Sequence, residues 1–219
     1  KILNNYDLNL IVLTNFHKQY IKEVNLIDQK ISVIPNVIDI TDVKKEDNKK
    51  RYMIYAGRIS KEKGVEELIT SFINCNFSDV NLKIVGSGPL LEYLKNTYKN
   101  EKIQFMNSLP NNEVLRLINN SIAVVTATKL HEGQPTLLCE ASAMGIPSIF
   151  PKSGGISEFF PKDYLFSFNQ FDYEDLEKKL NLVINSNNLD KIGNENKKYI
   201  NKYLNKKSLL SKFEEVINE

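Results

Sequence analysis

The stretch Tyr52-Met-Ile-Tyr-Ala-Gly-Arg-Ile-Ser-Lys-Glu-Lys-Gly-Val-Glu-Glu-Leu-Ile-Thr-Ser-Phe-Ile73 decides the fold class. Its opening, Tyr52–Ala56, is an unbroken run of strand length that offers no polar face. Glycine and polar residues then interrupt it. From Val65 the period changes: Val65, Leu68, Ile69, Phe72 and Ile73 fall on one face of a helix. A strand apolar on both sides, followed at once by an amphipathic helix, is the repeating unit of a parallel sheet covered on both faces.

Outward from this stretch the unit recurs. Leu82–Val85, Ile103–Met106, Ile122–Ala127 and Pro147–Phe150 read as strands, and Asn112–Ile118 and Thr136–Met144 as helices. After residue 173 only helical stripes remain. Leu176, Leu180, Val183 and Ile184 form one; Leu209, Leu210, Phe213, Val216 and Ile217 form another, which could touch a membrane but is expected to pack on protein. Upstream, Leu8–Leu13 ends at the capping pair Thr14-Asn15, and Ile31–Ile34 stops at Pro35-Asn36. Asp42 to Arg51 is almost wholly polar. Acidic residues interrupt its lysines and no aromatics interleave, so it reads as a solvated linker. The expectation is an α/β fold, a Rossmann-like doubly wound parallel sheet over residues 36–200 with C-terminal helices. Its ligand belongs at the carboxyl ends of the strands.

Composition narrows the function. With 42% hydrophobic and 26% charged residues in 219, the chain is far from the composition of disordered proteins. Lys+Arg 29 against Asp+Glu 27 leaves +2, which argues against nucleic acid as a partner. Cys75 and Cys139 alone cannot build a disulfide framework or a thiolate-rich metal site. No apolar run reaches the roughly 18–20 residues that span a bilayer. There is no initiator Met and no secretory signal, so we expect a cytoplasmic setting and a piece of something longer.

Three turns after strands carry candidate chemistry. The first, Gly57 to Gly64, sets Arg58 and Lys63 at a strand end just ahead of a helix N-terminus, a ready anion site; Lys61 reads as solvated. The second, Val85-Gly86-Ser-Gly-Pro89, opens like a dinucleotide fingerprint, but Leu91 stands where that motif wants a small residue. A glycine turn lining a cleft is the better reading. The third, Lys129-Leu-His-Glu-Gly-Gln-Pro-Thr-Leu-Leu-Cys-Glu140, puts Glu132 in a loop, Pro135 at a helix start and Glu140 inside that helix. Such carboxylates suit sugar hydroxyls. They fit a glycosidase's flanking acid and base less well. His131 either orients Glu132 or stays exposed, His17 has no evident partner, and Cys139 reads as core.

Taken in order, Arg58 with Lys63-Gly64, Val85 to Pro89, Glu132-Gly-Gln-Pro with Glu140-Ala141, Gly145-Ile-Pro147, and Gly154-Gly155 with Glu158 resemble the C-terminal half of family 4 (group 1) retaining glycosyltransferases of the GT-B fold. The likeness covers roughly residues 8–200. It implies a nucleotide-sugar donor, a UDP-sugar in expectation, and transfer to a carbohydrate or lipid-linked acceptor held by a missing N-terminal domain. Residues 1–35 would be that domain's remnant, 36–200 the donor-binding domain and 201–219 a C-terminal helix. By resemblance, Arg58, Lys63 and Glu132 are the catalytic set. Donor contacts would come from Gly57, Arg58, Lys63, Gly86, Leu109, Glu132, Gly133, Gln134, Pro135, Thr136, Leu137 and Glu140. The diphosphate would meet Arg58 and Lys63, the ribose Glu140, the base the Ser108–Pro110 loop, and the sugar Glu132 and the N–H groups after it. Two residues depart from the family's pattern: Gln134 replaces a bulky apolar residue and Asn107 a glycine. No Asp-x-Asp is present, so neither metal nor other cofactor is expected. Peripheral association with the inner face of a membrane, in polysaccharide assembly, completes what the likeness implies. The alternative is a non-catalytic nucleotide-sugar-binding module.

Overall fold

The computed structural model describes residues 9–24, 30–38, 40 and 51–218; the charged stretch 42–50 lies outside them. An N-terminal unit pairs β1 (Leu10–Val12) in parallel with β2 (Ile31–Val33), with α1 (Asn15–Glu23) between them. Then follow β3 (Tyr52–Ala56), α2 (Val65–Asn74), β4 (Asn81–Val85), α3 (Leu91–Thr97), β5 (Ile103–Met106), α4 (Asn111–Asn119) and β6 (Ala123–Val125). The chain continues with α5 (Thr136–Met144), β7 (Ser148–Lys152), β8 (Ser167–Asn169), α6 (Tyr173–Ile184), α7 (Leu189–Tyr203) and α8 (Lys206–Asn218).

The main sheet is six-stranded and parallel, in the order β5-β4-β3-β6-β7-β8. Chain order reverses between β3 and β6. Their carboxyl ends therefore diverge into a crevice, the place where doubly wound sheets hold ligands. β3 shows why both faces are covered: Met53 and Tyr55 enter one core with α2 and α6, while Tyr52 and Ile54 enter the other with α4, α5 and α7.

Two elements differ from the sequence reading. β8 was not anticipated, because only three residues pair. There Phe166 and Phe168 are buried on one side, and Ser167 turns to donate to the Tyr164 carbonyl at 3.0 Å. Nor was α7, whose buried stripe is Gly193, Asn196 and Ile200 rather than a row of hydrophobes. Gly193 is there for contact. A β-carbon on it would lie 1.9 Å from the Gly145 carbonyl oxygen, so α7 packs backbone to backbone on the end of α5. This helix runs through residue 200, where the sequence reading ends the domain, and α8 forms the actual terminal helix.

Candidate functional site

The crevice between β3 and β6 is a cleft with two lobes of about 600 and 290 Å3. Ala56, Gly57, Arg58, Thr136 and Leu137 line both. Gly86, Leu109 and Glu140 line the larger lobe; Lys63, Glu132, Gln134 and Pro135 line the smaller. Of the residues expected to contact the donor, Gly133 alone lines neither.

The turn after β3 is built by long-range backbone approaches. The N–H of Gly57 donates to the Val85 carbonyl at 3.0 Å, and that of Ile59 to Ser87 at 2.8 Å. Side chains at Gly86 or Gly64 would strike the backbone of Gly57 or Ala127 at 1.9 Å. These glycines therefore let three loops meet. The Tyr55 hydroxyl donates to the Arg58 carbonyl at 2.7 Å, holding the turn from below. Its burial, aided by the Glu132 charge, pushes its pKa well above the usual phenol range, so it stays a donor. Arg58 itself is exposed between the lobes.

One expectation is corrected here. The helix after Lys63 is not the cleft's anion-binding end. A short 3-10 turn, Lys61–Lys63, intervenes, and α2 carries Glu66 and Glu67 in its own first turn, which offset its positive end. α5 points Thr136 and Leu137 into both lobes and has no acidic residue in its first turn. That is the helix terminus available to an anion.

Glu132 is held on both sides. Its Oε1 accepts from Lys63 Nζ at 2.6 Å and from the Thr128 hydroxyl at 2.9 Å. The loop beneath it is braced by the strand ends beyond. Ser153 donates to the Leu130 carbonyl at 2.8 Å, and the Gly155 N–H to the Glu132 carbonyl at 2.8 Å. Gly154, at φ +56°, sits so close that a β-carbon would lie 2.2 Å from the Glu132 carbonyl oxygen. The Gly154-Gly155 pair thus supports the loop. His131 is exposed, and its Nδ1 lies 3.3 Å from Ser153 Oγ rather than at a group of Glu132.

Glu140 stands half-buried in the other lobe, and burial raises its pKa while the Asn111 side chain partly offsets this. The two carboxylates face separate lobes, and one is committed to a cation. That arrangement suits two contacts along an extended ligand, not an acid and base across one bond.

At Gly133 the missing side chain makes room for His17: a β-carbon there would lie 2.5 Å from His17 Cε1. His17 Nδ1 is 3.1 Å from the Thr14 hydroxyl, so the histidine has partners from both halves of the molecule. Glu158 fixes the start of α1, accepting from the N–H groups of Asn15 and Phe16 at 2.8 Å each. Gln134 reaches outward and bonds the backbone of Asn36 at 2.6 and 2.9 Å. Ser153 and Asn111 carry no local sequence signal, because each matters through a partner more than twenty residues along the chain.

Among the described residues, no group of three His, Cys, Asp or Glu side chains is placed to hold a metal ion. No helix among them is long and apolar enough to cross a membrane. Cys139 is fully buried, as a core residue should be.

Known proteins match this geometry. The GPI3 subunit of phosphatidylinositol N-acetylglucosaminyltransferase from Saccharomyces cerevisiae is 25% identical over 200 residues, covering 84% of this chain and 44% of that protein. The sulfoquinovosyl transferase SQD2 of Arabidopsis thaliana is 27% identical over 139 residues, covering 62% and 27%. The chain spans less than half the length of these relatives. Among solved structures, HepE of Anabaena with UDP and glucose superposes with a TM-score of 0.83 at 16% identity, covering 98% of this chain and 64% of that one. TarM of S. aureus, solved with UDP among its ligands, gives 0.81 at 19%, covering 96% and 44%. Such likenesses carry the fold, the Rossmann-like C-terminal domain of GT-B glycosyltransferases. The family model described as "Glycosyl transferases group 1" matches residues 37–203, and with that match over the sheet and its cleft, the chain belongs to the group 1 glycosyltransferases.

Proposed function

We propose that this chain is the donor-binding half of a retaining, metal-independent family 4 hexosyltransferase using a nucleoside diphosphate sugar, specifically a UDP-sugar. The observation that carries the reading is what converges at the β3–β6 crevice: Arg58, Lys63, an acid-free helix start and one carboxylate in each lobe.

In this reading the larger lobe takes the nucleoside. Glu140 accepts from the ribose hydroxyls, and the base lies against Leu109, with Gly57 and Gly86 leaving it room. Arg58 and the N–H groups at Thr136 and Leu137 hold the diphosphate between the lobes. The smaller lobe takes the sugar, with Glu132 and the backbone through Gly133, Gln134 and Pro135 around it. Departure of the nucleoside diphosphate builds negative charge on the β-phosphate. Arg58, Lys63 and the α5 start, already positioned, stabilise that charge without a metal or other cofactor.

The relatives are more than twice this chain's matched share, so the acceptor, carbohydrate or lipid-linked, is assigned to an N-terminal domain of which residues 1–35 are part. The donor domain then runs from residue 36 through the end of α7 at Tyr203, and α8 adds the terminal helix. The chain alone then binds donor without transferring it. The setting is the cytoplasm, at the inner face of a membrane where polysaccharide is assembled. UDP in the complexes of HepE and TarM supports the choice of base.

Thermal unfolding with UDP, GDP and their sugars tests this. At a hundredfold excess over Kd, UDP should stabilise the chain by about 2.7 kcal/mol. For a chain of this length that raises Tm by roughly 5–11 °C. Arg58→Ala should remove most of the shift. No shift with either nucleotide, up to millimolar concentration, would sink the proposal.

A further inference from the structure

We infer that Gln134 is a positioning residue for the sugar lobe, latching the Glu132–Pro135 loop to the segment that joins β2 to the main sheet; the assignment rests on the donor-site reading above. Gln134 Oε1 accepts the Asn36 N–H at 2.6 Å, and its Nε2 donates to the Asn36 carbonyl at 2.9 Å, across 98 residues of chain. One planar carboxamide thus pairs with both backbone groups of one residue, as a neighbouring strand would. Among side chains of this length only glutamine offers a donor and an acceptor side by side. Leucine supplies neither, glutamate only the acceptor and lysine only a donor. An apolar residue here would fill the same lobe without making the tie.

The latch acts on the part of the loop with least support of its own. Upstream, Glu132 is held by Lys63, Thr128 and the Gly155 N–H. Downstream, Pro135 begins α5 and accepts the N–H groups of Leu138 and Cys139. Between them, among the described residues, Gly133 has the His17 ring packed on it, and Gln134 has the Asn36 backbone with a further side-chain contact to Cys139. Gln134 lines the smaller lobe, where the sugar is assigned, and the Gly133–Gln134 backbone carries it. Releasing the latch frees that backbone while leaving Glu140, Leu109 and Gly86 of the nucleoside lobe untouched. Sugar and nucleotide affinities should therefore separate.

The test uses this chain with Gln134→Leu, which keeps the volume, and Gln134→Glu, which keeps one of the two bonds. Amide hydrogen exchange at Asn36 reads the latch directly. Isothermal titration with UDP and with UDP-glucose or UDP-N-acetylglucosamine reads its effect on the site. Gln134→Leu should speed Asn36 exchange about tenfold, as loss of a hydrogen bond of ordinary strength predicts. It should weaken UDP-sugar binding about tenfold while changing UDP binding less than twofold. Gln134→Glu should retain Asn36 protection and fall between parent and Gln134→Leu in sugar affinity. Unchanged Asn36 exchange in Gln134→Leu would overturn the latch. Equal losses for UDP and UDP-sugar, or no loss for either, would overturn its role in positioning. If the unaltered chain binds neither nucleotide nor sugar nucleotide, the donor-site reading fails and the positioning role with it, while the exchange arm still decides whether the latch exists.

Discussion

Replacing Lys63 by Met removes an ammonium and keeps most of the stem, so the consequence falls on Glu132. Lys63 Nζ and Glu132 Oε1 lie 2.6 Å apart, with 29% and 25% of the two side chains left in water. A pair so covered sits between an exposed bridge, worth about 0.2–1 kcal/mol, and a buried one, whose breaking costs about 3–5 kcal/mol. Glu132 keeps the Thr128 hydroxyl, so Lys63→Met should cost about 1–2 kcal/mol, or roughly 2–8 °C in Tm for a chain of this length. Adding Glu132→Gln should recover most of that loss, because the stranded carboxylate is then gone. Binding separates the partners differently. Lys63→Met should weaken UDP about 10- to 100-fold, the worth of one charge-assisted hydrogen bond. Glu132→Gln releases Lys63 and should bind UDP at least as tightly as the parent. Scanning calorimetry of the four proteins gives the cycle, and titration calorimetry gives the affinities. Strictly additive stability losses, or a Glu132→Gln protein that loses UDP as badly as Lys63→Met, would refute this account of the pair.

Two further outcomes follow from the geometry. Glu140→Gln should melt higher than the parent at pH 7 and bind UDP more weakly. Burial raises the folded-state pKa of Glu140, so the folded chain holds its proton more tightly than the unfolded one, and stability falls as pH rises through the carboxylate range; the variant's advantage should therefore close as pH drops through that range, and an advantage that persists at low pH would contradict it. Gly154→Ala places a β-carbon 2.2 Å from the Glu132 carbonyl oxygen at φ +56° and should cost about 1–3 kcal/mol by thermal melting, and an unchanged melt would mean the brace is not tight.

How far the sequence could be read depends on where each signal lies. β3 and α2 were legible because Tyr52–Ala56 and Val65–Ile73 carry their periods within a few residues of one another. α7 was not, because its inward stripe is Gly193, Asn196 and Ile200, residues that face a core only because α5 ends at Gly145 beneath them. The same division runs through the site. Arg58 and Glu132 were picked out beside turns, Glu140 inside the helix that follows and Gln134 through the family resemblance, yet nothing local indicated that Glu132 and Glu140 face different lobes. Nor could it show that α5 rather than α2 offers its helix start. Glu66 and Glu67 are a hint against α2, but that hint has weight only once both helix ends are seen at the same crevice.

By itself, the sequence determined the alternation of strands and helices, the parallel sheet and the turns that carry the chemistry. Those depend on side-chain period and turn residues, which act over one or two turns of chain. Only the tertiary structure decided that His17 fills the space at Gly133, that Gly154 carries the loop of Glu132, and that Gln134 grips Asn36. These partners are 22 to 116 residues apart by their numbers. Chain distance erases such pairings from any local pattern, and the folded sheet restores them by bringing its loops to one edge.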